Sequence, residues 1–325
     1  MKDLELSVAL DFYVSDTSRH CDYVLPATTM YEREDFPLPF LSLFTTPFIQ
    51  MTEAVVEPAG EARQEWQIID EIAKRIGIVP NSARIGRLAG KLGIRLSPER
   101  LVDLIVRVGG KGDLFGLRRG GLSVAKLRKN PHGIVLGEGL SGGVLEKKIR
   151  HGDKKVRLDA PEVLADARAM VARNGKDPGF PLRLIGLREL RSHNSWMHNA
   201  PLLMRGDRTH TARIHPDDAE SAGLTEGETC RVSSAHGAVE LPARLTDEVK
   251  RGTVAIPHGW GHTGGWKVAN AAGGVNVNAL ASSDPADLER LAGMAHLNGI
   301  PIRLEPVRTP LATPADPVGA GVDVH

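Results

Sequence analysis

Leu182-Arg-Leu-Ile-Gly-Leu-Arg-Glu-Leu-Arg-Ser-His-Asn-Ser-Trp-Met-His-Asn-Ala-Pro201 joins two textures within one short stretch. Its first six residues are apolar apart from one Arg and a Gly, and read as a short buried strand. From Arg188 onward, two Arg, two His, two Asn, two Ser and a Trp fall within fourteen positions. Polar groups on every face exclude a core helix. Donors and planar side chains this dense, at the exit of a buried strand, suit a loop that grips an anionic ligand rich in hydrogen-bonding edges. A surface loop with an ordinary polar mix is the alternative that the stretch alone leaves open.

Downstream, short apolar runs recur at 211–214, 229–233, 238–245, 253–257 and 302–306. Between them lie His215-Pro-Asp-Asp-Ala-Glu-Ser-Ala-Gly-Leu224, a short capped helix, and Thr225-Glu-Gly-Glu228, a tight turn. Short strands separated by turn signals predict a closed, all-β-rich barrel over 180–310, with 311–325 as a disordered tail.

Upstream, residues 4–10 alternate and end in Asp11-Phe-Tyr-Val14, followed by the cap signal Ser15-Asp-Thr17. Arg19-His-Cys-Asp-Tyr-Val-Leu-Pro26 adds a turn or short helix and a second apolar segment. This is one βα unit of an open parallel sheet, where ligands sit at the carboxyl ends of strands. Asp11 and Thr17 occupy such an end, although by composition alone Asp16 and Thr17 read first as helix caps. One βα unit cannot bury a parallel sheet, so residues 1–80 read as a partial α/β domain, the end of a larger one. Within it, Pro37, Pro39 and Pro47 mark an irregular segment, and 57–63 is a turn. Trp66, Ile68, Ile69, Ile72, Ala73 and Ile76 recur at helical spacing before Gly77, as core packing would require.

Residues 81–179 form a basic, Gly-rich connecting region. It holds a helix at 98–107, eleven glycines from Gly109 to Gly143, a brief strand at 156–159, a helix at 161–173 and a linker at 174–179. Gly109-Gly-Lys-Gly112 is not a phosphate loop, since no strand precedes it and no Ser or Thr follows the Lys.

A chain of 325 residues has room for two domains, and 41% hydrophobic with 25% charged residues is a globular composition. No apolar run approaches roughly 18 residues, so no membrane span is expected. Without a recognisable signal peptide, a cytoplasmic location is expected. Two cysteines, Cys21 and Cys230, exclude a disulfide framework and an iron–sulfur cluster held within this chain. The net charge of +1 hides 18 Lys and Arg against 6 Asp and Glu between Arg84 and Arg157, a local +12 that leaves −11 elsewhere. Phe115 alone interleaves these charges, so a stacking platform for bases, and with it a nucleic-acid partner, is not expected.

Six segments, in order, resemble the molybdopterin-dinucleotide-binding domain of the dimethyl-sulfoxide-reductase family, which includes the catalytic subunits of formate dehydrogenase and nitrate reductase type. They are Arg188 to Pro201, Ile214-His-Pro-Asp-Asp-Ala219, Gly223-Leu-Thr-Glu-Gly-Glu228, Val232-Ser-Ser-Ala-His-Gly-Ala-Val239, Ile256-Pro-His-Gly-Trp-Gly-His262 and Gly274-Val-Asn-Val-Asn-Ala-Leu280. Asp11 to Thr17, Cys21 to Ala27, Glu32 and Pro58 to Trp66 are similar to the last part of the family's α/β region.

The resemblance implies a double-psi barrel and a cofactor of molybdopterin guanine dinucleotide with molybdenum or tungsten. It implies that Arg188, Arg191, Ser192, His193, Asn194, Ser195 and Asn199 meet the cofactor's edges, and that His or Trp rings lie against its pterin. Trp196 would either join them or anchor the loop. His258, Gly259, Trp260 and His262 would form a cofactor-facing loop in which glycine admits a ligand; its glycines oppose a helical two-histidine metal site. Asn276 and Asn278, in an extended stretch, would read one cofactor edge together.

The family's cysteine cluster and its metal-ligating residue have no counterpart in this sequence. The expectation is a fragment or split subunit, working on a small-molecule substrate with an N-terminal half or partner subunit that supplies the iron–sulfur cluster and metal ligand. No catalytic group and no metal ligand is assigned within the chain, and a non-enzymatic cofactor-binding module is the alternative.

Overall fold

The structure, a computed structural model, describes residues 3–78, 97–139, 143–173, 177 and 179–307. The tail at 311–325 and most of the expected linker at 174–179 lie outside them. The chain divides into two compact units, Met1–Val156 and Arg157–His325.

In the first unit, β1 (Val8–Asp11) and β2 (Tyr23–Pro26) pair in parallel, Val8 beside Tyr23 and Asp11 beside Pro26. The strand is shorter than the alternation at 4–10 predicts because Ser7 is diverted into a ring of bonds. Its amide and hydroxyl both donate to Asp22 Oδ2 at 2.7 Å, and the Asp22 amide donates back to Ser7 Oγ at 3.1 Å. A single 3-10 turn, Ser18–His20, makes the connection. Thr17 forms no side-chain cap there. The Ser15 and Ser18 hydroxyls accept from each other's amides instead.

β3 (Phe48–Ile49) pairs antiparallel with β4 (Ile134–Val135). Helix α1 (Glu65–Arg75) ends before Gly77, whose φ of +73° suits a left-handed terminus. It buries Ile68 and Ala73 but leaves Ile69, Ile72 and Ile76 exposed, so the expected core packing holds for part of its apolar set. α2 (Pro98–Val108) starts with Ser97 accepting from the Arg100 amide, and α3 (Val124–Arg128) and α4 (Val144–Lys148) follow. Ile49, Met51, Val106, Leu122, Val124 and Leu127 form one buried cluster. Four of these six residues come from the basic, Gly-rich region, which is therefore structural rather than merely connecting. Its arginines hold it: Arg107 bridges Asp103 and Asp113, and Arg128 bridges Glu53 and Glu99.

In the second unit no strand forms at 156–159, and the chain runs into α5 (Pro161–Arg173). β5 (Leu182–Leu187) leads through a loop to the short α6 (Pro201–Met204) and then β6 (Ala212–Ile214). α7 (Pro216–Ala222) follows, closed by Gly223 at φ +69°, and then β7 (Thr229–Ser233), β8 (Ala238–Leu245) and β9 (Thr253–Pro257). A four-residue helix, α8 (Val268–Ala271), precedes β10 (Ile300–Pro306). The six strands close into a barrel in the order β10-β5-β9-β6-β8-β7. β5–β9 and β6–β8 are parallel and the other pairs antiparallel.

Alternation sorts the side chains. On β8, Val239, Leu241 and Ala243 point inward, and on β10 Ile300, Ile302 and Leu304 do. Cys230 is buried among them, its thiol donating to the Leu241 carbonyl at 3.3 Å and pushed up to about 11 by burial. Among the described residues no helix is long and apolar enough to cross a membrane.

Ile256, fully buried on β9, tests this packing. Ile256→Ala should destabilise the chain by about 2–5 kcal/mol in urea denaturation, since a cavity adds to the lost burial. A change within about 0.5 kcal/mol would mean that the barrel interior is not close-packed.

Candidate functional site

The loop leaving β5 is pinned from below by one carboxylate. Glu189 Oε2 accepts from Arg208 Nη2 at 3.1 Å, from Trp260 Nε1 at 2.9 Å and from the Ser192 hydroxyl at 3.4 Å. Arg208 also donates to Ser192 Oγ at 2.7 Å and lies over the Trp260 ring at 5.5 Å. The buried His198 meets Ser192 Oγ through Nε2 at 2.8 Å. Burial, then the neighbouring Arg208 and His262 charges, lower its pKa to about 4, so the ring is neutral near pH 7. His210 stacks on the Trp260 ring, 5.2 Å away and nearly parallel to it. Its Nδ1 accepts from the Val275 amide at 3.1 Å, so Nε2 carries the proton that goes to the Pro257 carbonyl at 2.7 Å. Burial lowers its pKa too.

The upper side of the loop is strained. His193 and Asn194 take φ values of 43° and 66°, successive left-handed residues without glycine. Such residues cost about 1–3 kcal/mol each and persist only when surroundings fix them. Here Asn194 Oδ1 accepts from Arg188 Nη1 at 3.1 Å and from His258 Nε2. His193 and Trp196 stack at 5.7 Å with both rings on the surface.

Arg188, Asn194, His258 and Asn278 all line one cavity of about 340 Å³. Its floor is apolar, from Leu184, Val277, Ala281 and Ile300, and Asn298 completes the rim. The structure thus brings four of the sequence-predicted residues to one place. Others are engaged within the chain itself. Ser192 and Trp260 are buried in the Glu189 network. Asn199 Oδ1 accepts from the Val268 amide at 2.9 Å at the start of α8, and Arg191 Nη1 donates to the Arg205 carbonyl beyond α6. Asn276 is not in an extended stretch with Asn278. It caps the 3-10 turn Val277–Leu280, accepting from the Asn278 amide at 3.1 Å.

Gly259 and Gly261 have φ near +87° and +78°, and added Cβ atoms would meet Asn194 O at 2.7 Å and Asn276 N at 2.5 Å. What these glycines admit in this structure is the chain's own backbone. His262 parts from His258 and stacks on Trp266 at 4.6 Å. Ser195 lies half-buried against Gly259. Asp11 accepts from the Phe12 and Tyr13 amides at the end of β1, in the other unit with Thr17.

Sequence reasoning missed Glu189, His198, Arg208, His210 and Asn298. Arg205-Gly-Asp-Arg-Thr-His-Thr211 is a polar stretch like the quoted loop and carried the same signal. Asn298, whose Oδ1 accepts from the Gly186 amide across 112 positions, carried none. Among the described residues no group of three or more His, Cys, Asp or Glu is placed to hold a metal ion.

Residues 182–300 match the Molydopterin dinucleotide binding domain, and residues 1–75 match Molybdopterin oxidoreductase. The chain is thus similar to molybdopterin oxidoreductases in two separate segments. Acetylene hydratase of Syntrophotalea acetylenica is 29% identical over 311 residues, 91% of this chain and 39% of that protein. The dimethyl sulfoxide/trimethylamine N-oxide reductase of Rhodobacter capsulatus is 24% identical over 286 residues, 81% of this chain and 32% of that one. The solved structure of acetylene hydratase from Pelobacter acetylenicus aligns with 93% of this chain at 26% identity and a TM-score of 0.53, and the alignment takes in 40% of that structure. The chain spans 32–39% of the length of the two curated relatives.

The neutral histidines beneath the loop set a pH window. A histidine with a depressed folded-state pKa contributes stability that is full above its unfolded value of 6.5 and is lost as pH falls toward about 4. The urea midpoint should therefore fall between about pH 7 and about pH 5, and the fall should shrink in His198→Gln. A midpoint flat across that window would contradict a buried neutral His198.

Proposed function

We propose that the barrel unit forms one wall of the site for a molybdopterin guanine dinucleotide in a molybdopterin-dependent oxidoreductase. The observation that carries this is the cavity ringed by Arg188, Asn194, His258 and Asn278 within the matched segment 182–300. The donor set fits the group. An apolar floor suits a flat ring system, and amide and guanidinium groups suit its polar edges. The Asn278 side chain makes no hydrogen bond among the described residues, so both ends of its amide are available. Asn298 uses its oxygen on Gly186 and keeps its NH2 group to donate. At about 340 Å³ the cavity matches one ring head rather than a whole dinucleotide.

When bound, the cofactor's metal supplies the redox chemistry; in this reading its ligand and the iron–sulfur cluster come from an N-terminal half or partner subunit. This chain's residues bind and orient. Arg188 holds Asn194 in its strained conformation and presents its remaining donors to the rim. His258, donating to Asn194, braces the same amide. His193, Ser195 and Trp196 flank the rim. The Glu189 network, with Asn199, Trp260, His262, Asn276 and the loop glycines, keeps these groups in place. The two parallel strand pairs support a double-psi arrangement of the barrel.

Purified after anaerobic expression, alone and with the product of a neighbouring gene, the chain should carry extractable pterin and guanine nucleotide. Asn278→Ala and Arg188→Gln should each lower the bound amount at least about tenfold, the loss of one or two charge-assisted or amide bonds. Cofactor absent from both wild-type preparations would end this reading.

A further inference from the structure

The basic segment of the first unit holds a second strained turn. Among the described residues, consecutive non-glycine residues take left-handed φ at His193–Asn194, beside the cavity above, and at Leu114–Phe115, with φ of 49° and 59°. Leu and Phe are disfavoured in that region and persist there only where their surroundings fix them. Here the loop is closed at its neck and tied to α2. The Asp113 amide donates to the Leu122 carbonyl at 3.0 Å, the Leu122 amide to the Lys111 carbonyl at 2.9 Å, and the Leu114 amide to the Arg107 carbonyl at 3.1 Å. A Cβ on Gly121 would lie 2.3 Å from Asp113 Cα, so backbone meets backbone at the neck. The result is a compact Ω-type loop.

The polar groups of this loop are turned inward. Every amide from Gly112 to Arg118 finds an acceptor in the loop, its neck or α2. The Gly110 and Gly112 carbonyls accept from Arg118, and the Gly120 and Gly121 carbonyls from Lys126. Asp113, the one carboxylate between Gly109 and Ser123, is bridged by Arg107. What faces outward is apolar and cationic. Phe115 is 63% exposed and Leu117 88%. Lys111, Arg118 and Lys126 donate to carbonyls rather than to carboxylates, and Arg119 makes no ion pair or hydrogen bond among the described residues. The positive charge around the loop is therefore uncompensated.

We propose that the Phe115–Leu117 tip is a docking site for the surface of a lipid bilayer that carries anionic headgroups. An aromatic and an aliphatic side chain can enter the boundary between headgroups and acyl chains while neighbouring Lys and Arg stay among the headgroups. Backbone that approaches this boundary needs its polar groups satisfied beforehand, as they are here. The fixed turn presents Phe115 without a further ordering cost. An acidic protein partner would need a footprint on the order of 800 Å², which a tip of two apolar side chains does not offer. A bilayer sets no such minimum, and docking of this kind requires no spanning helix. The apolar side chains that α1 exposes lie on relaxed helical backbone and carry no such signal. The inference stands on the first unit and is independent of what the barrel holds.

Co-sedimentation of the full chain with phosphatidylcholine vesicles, with and without phosphatidylserine, tests it. The chain should sediment with the anionic vesicles, and less of it as salt rises. Phe115→Asn should lower the vesicle affinity at least about tenfold, the loss of one buried aromatic side chain. Its urea midpoint should equal or exceed that of the wild type, because Asn accepts a left-handed φ more readily than Phe. That pairing separates a docking role from a merely structural one. Arg119→Gln, which breaks no bond of the loop, should lower the affinity about fivefold. No sedimentation with the anionic vesicles, equal sedimentation with the neutral ones, or binding indifferent to Phe115→Asn overturns the proposal. Poly-glutamate that binds the chain and displaces it from vesicles, with Phe115→Asn without effect, would assign the charge to an acidic protein partner instead and overturn it too. Failure of cofactor to co-purify, by contrast, leaves this assay untouched.

Discussion

The Glu189 carboxylate is the constraint on which the site depends. It follows β5, whereas Arg208 precedes β6 and Trp260 follows β9, and all three meet at Glu189 Oε2 within 3.1 Å. One carboxylate thus ties the ends of three strands, with Ser192 and His198 of the loop drawn in beneath. Stripping one partner from a buried charge pair costs about 3–5 kcal/mol, because the other charge is left uncompensated. The aromatic rings of Trp260, His198 and His210 pack round the pair and exclude water, which strengthens each bond and raises the cost of losing any one of them.

That buried anchorage explains how the upper side of the loop tolerates its backbone. Successive left-handed residues at His193 and Asn194 would relax in a free loop. Here Ser192 is fixed immediately before them, Gly259 leaves room for the Asn194 carbonyl, and Arg188 and His258 both hold the Asn194 amide. The strain and its supports lie on opposite faces of the same few residues. A loop built this way presents Arg188, Asn194 and His258 in one geometry, and preorganised groups bind without a further ordering cost.

The barrel was largely legible in the sequence because period-two alternation is a local property. β7, β8 and β9 fall on the runs at 229–233, 238–245 and 253–257, and β5 on Leu182–Leu187. The site was legible only in part, because polarity does not say which way a side chain points. Ser192, Asn199 and Trp260 look as ligand-ready as Asn194 in the one-dimensional string, yet their partners are a buried histidine, a helix start and a carboxylate. The spacing of two between Asn276 and Asn278 has meaning in a strand, whereas the chain there turns in a 3-10 helix capped by Asn276 itself. Read as a connector, the basic segment hid Leu122, Val124 and Leu127, whose spacing follows neither a strand nor a full helix.

Strand direction accounts for what polarity could not. β5 and β9 run parallel, with Leu187 beside Pro257, so both strands deliver their following loops to one end of the barrel, and Arg188 meets His258. β10 runs antiparallel to β5, with Ile300 beside Leu184, so its beginning arrives at that same end and brings Asn298 to the Gly186 amide. β6 runs antiparallel to β9, which returns Arg208 and His210 to the region of Pro257 and Trp260. Four strands therefore converge their polar termini on Arg188 and Glu189 as a consequence of how they pair. Adjacent in sequence, these two residues divide the charge between them: the carboxylate is neutralised by Arg208, and the guanidinium is left exposed at the rim of the cavity.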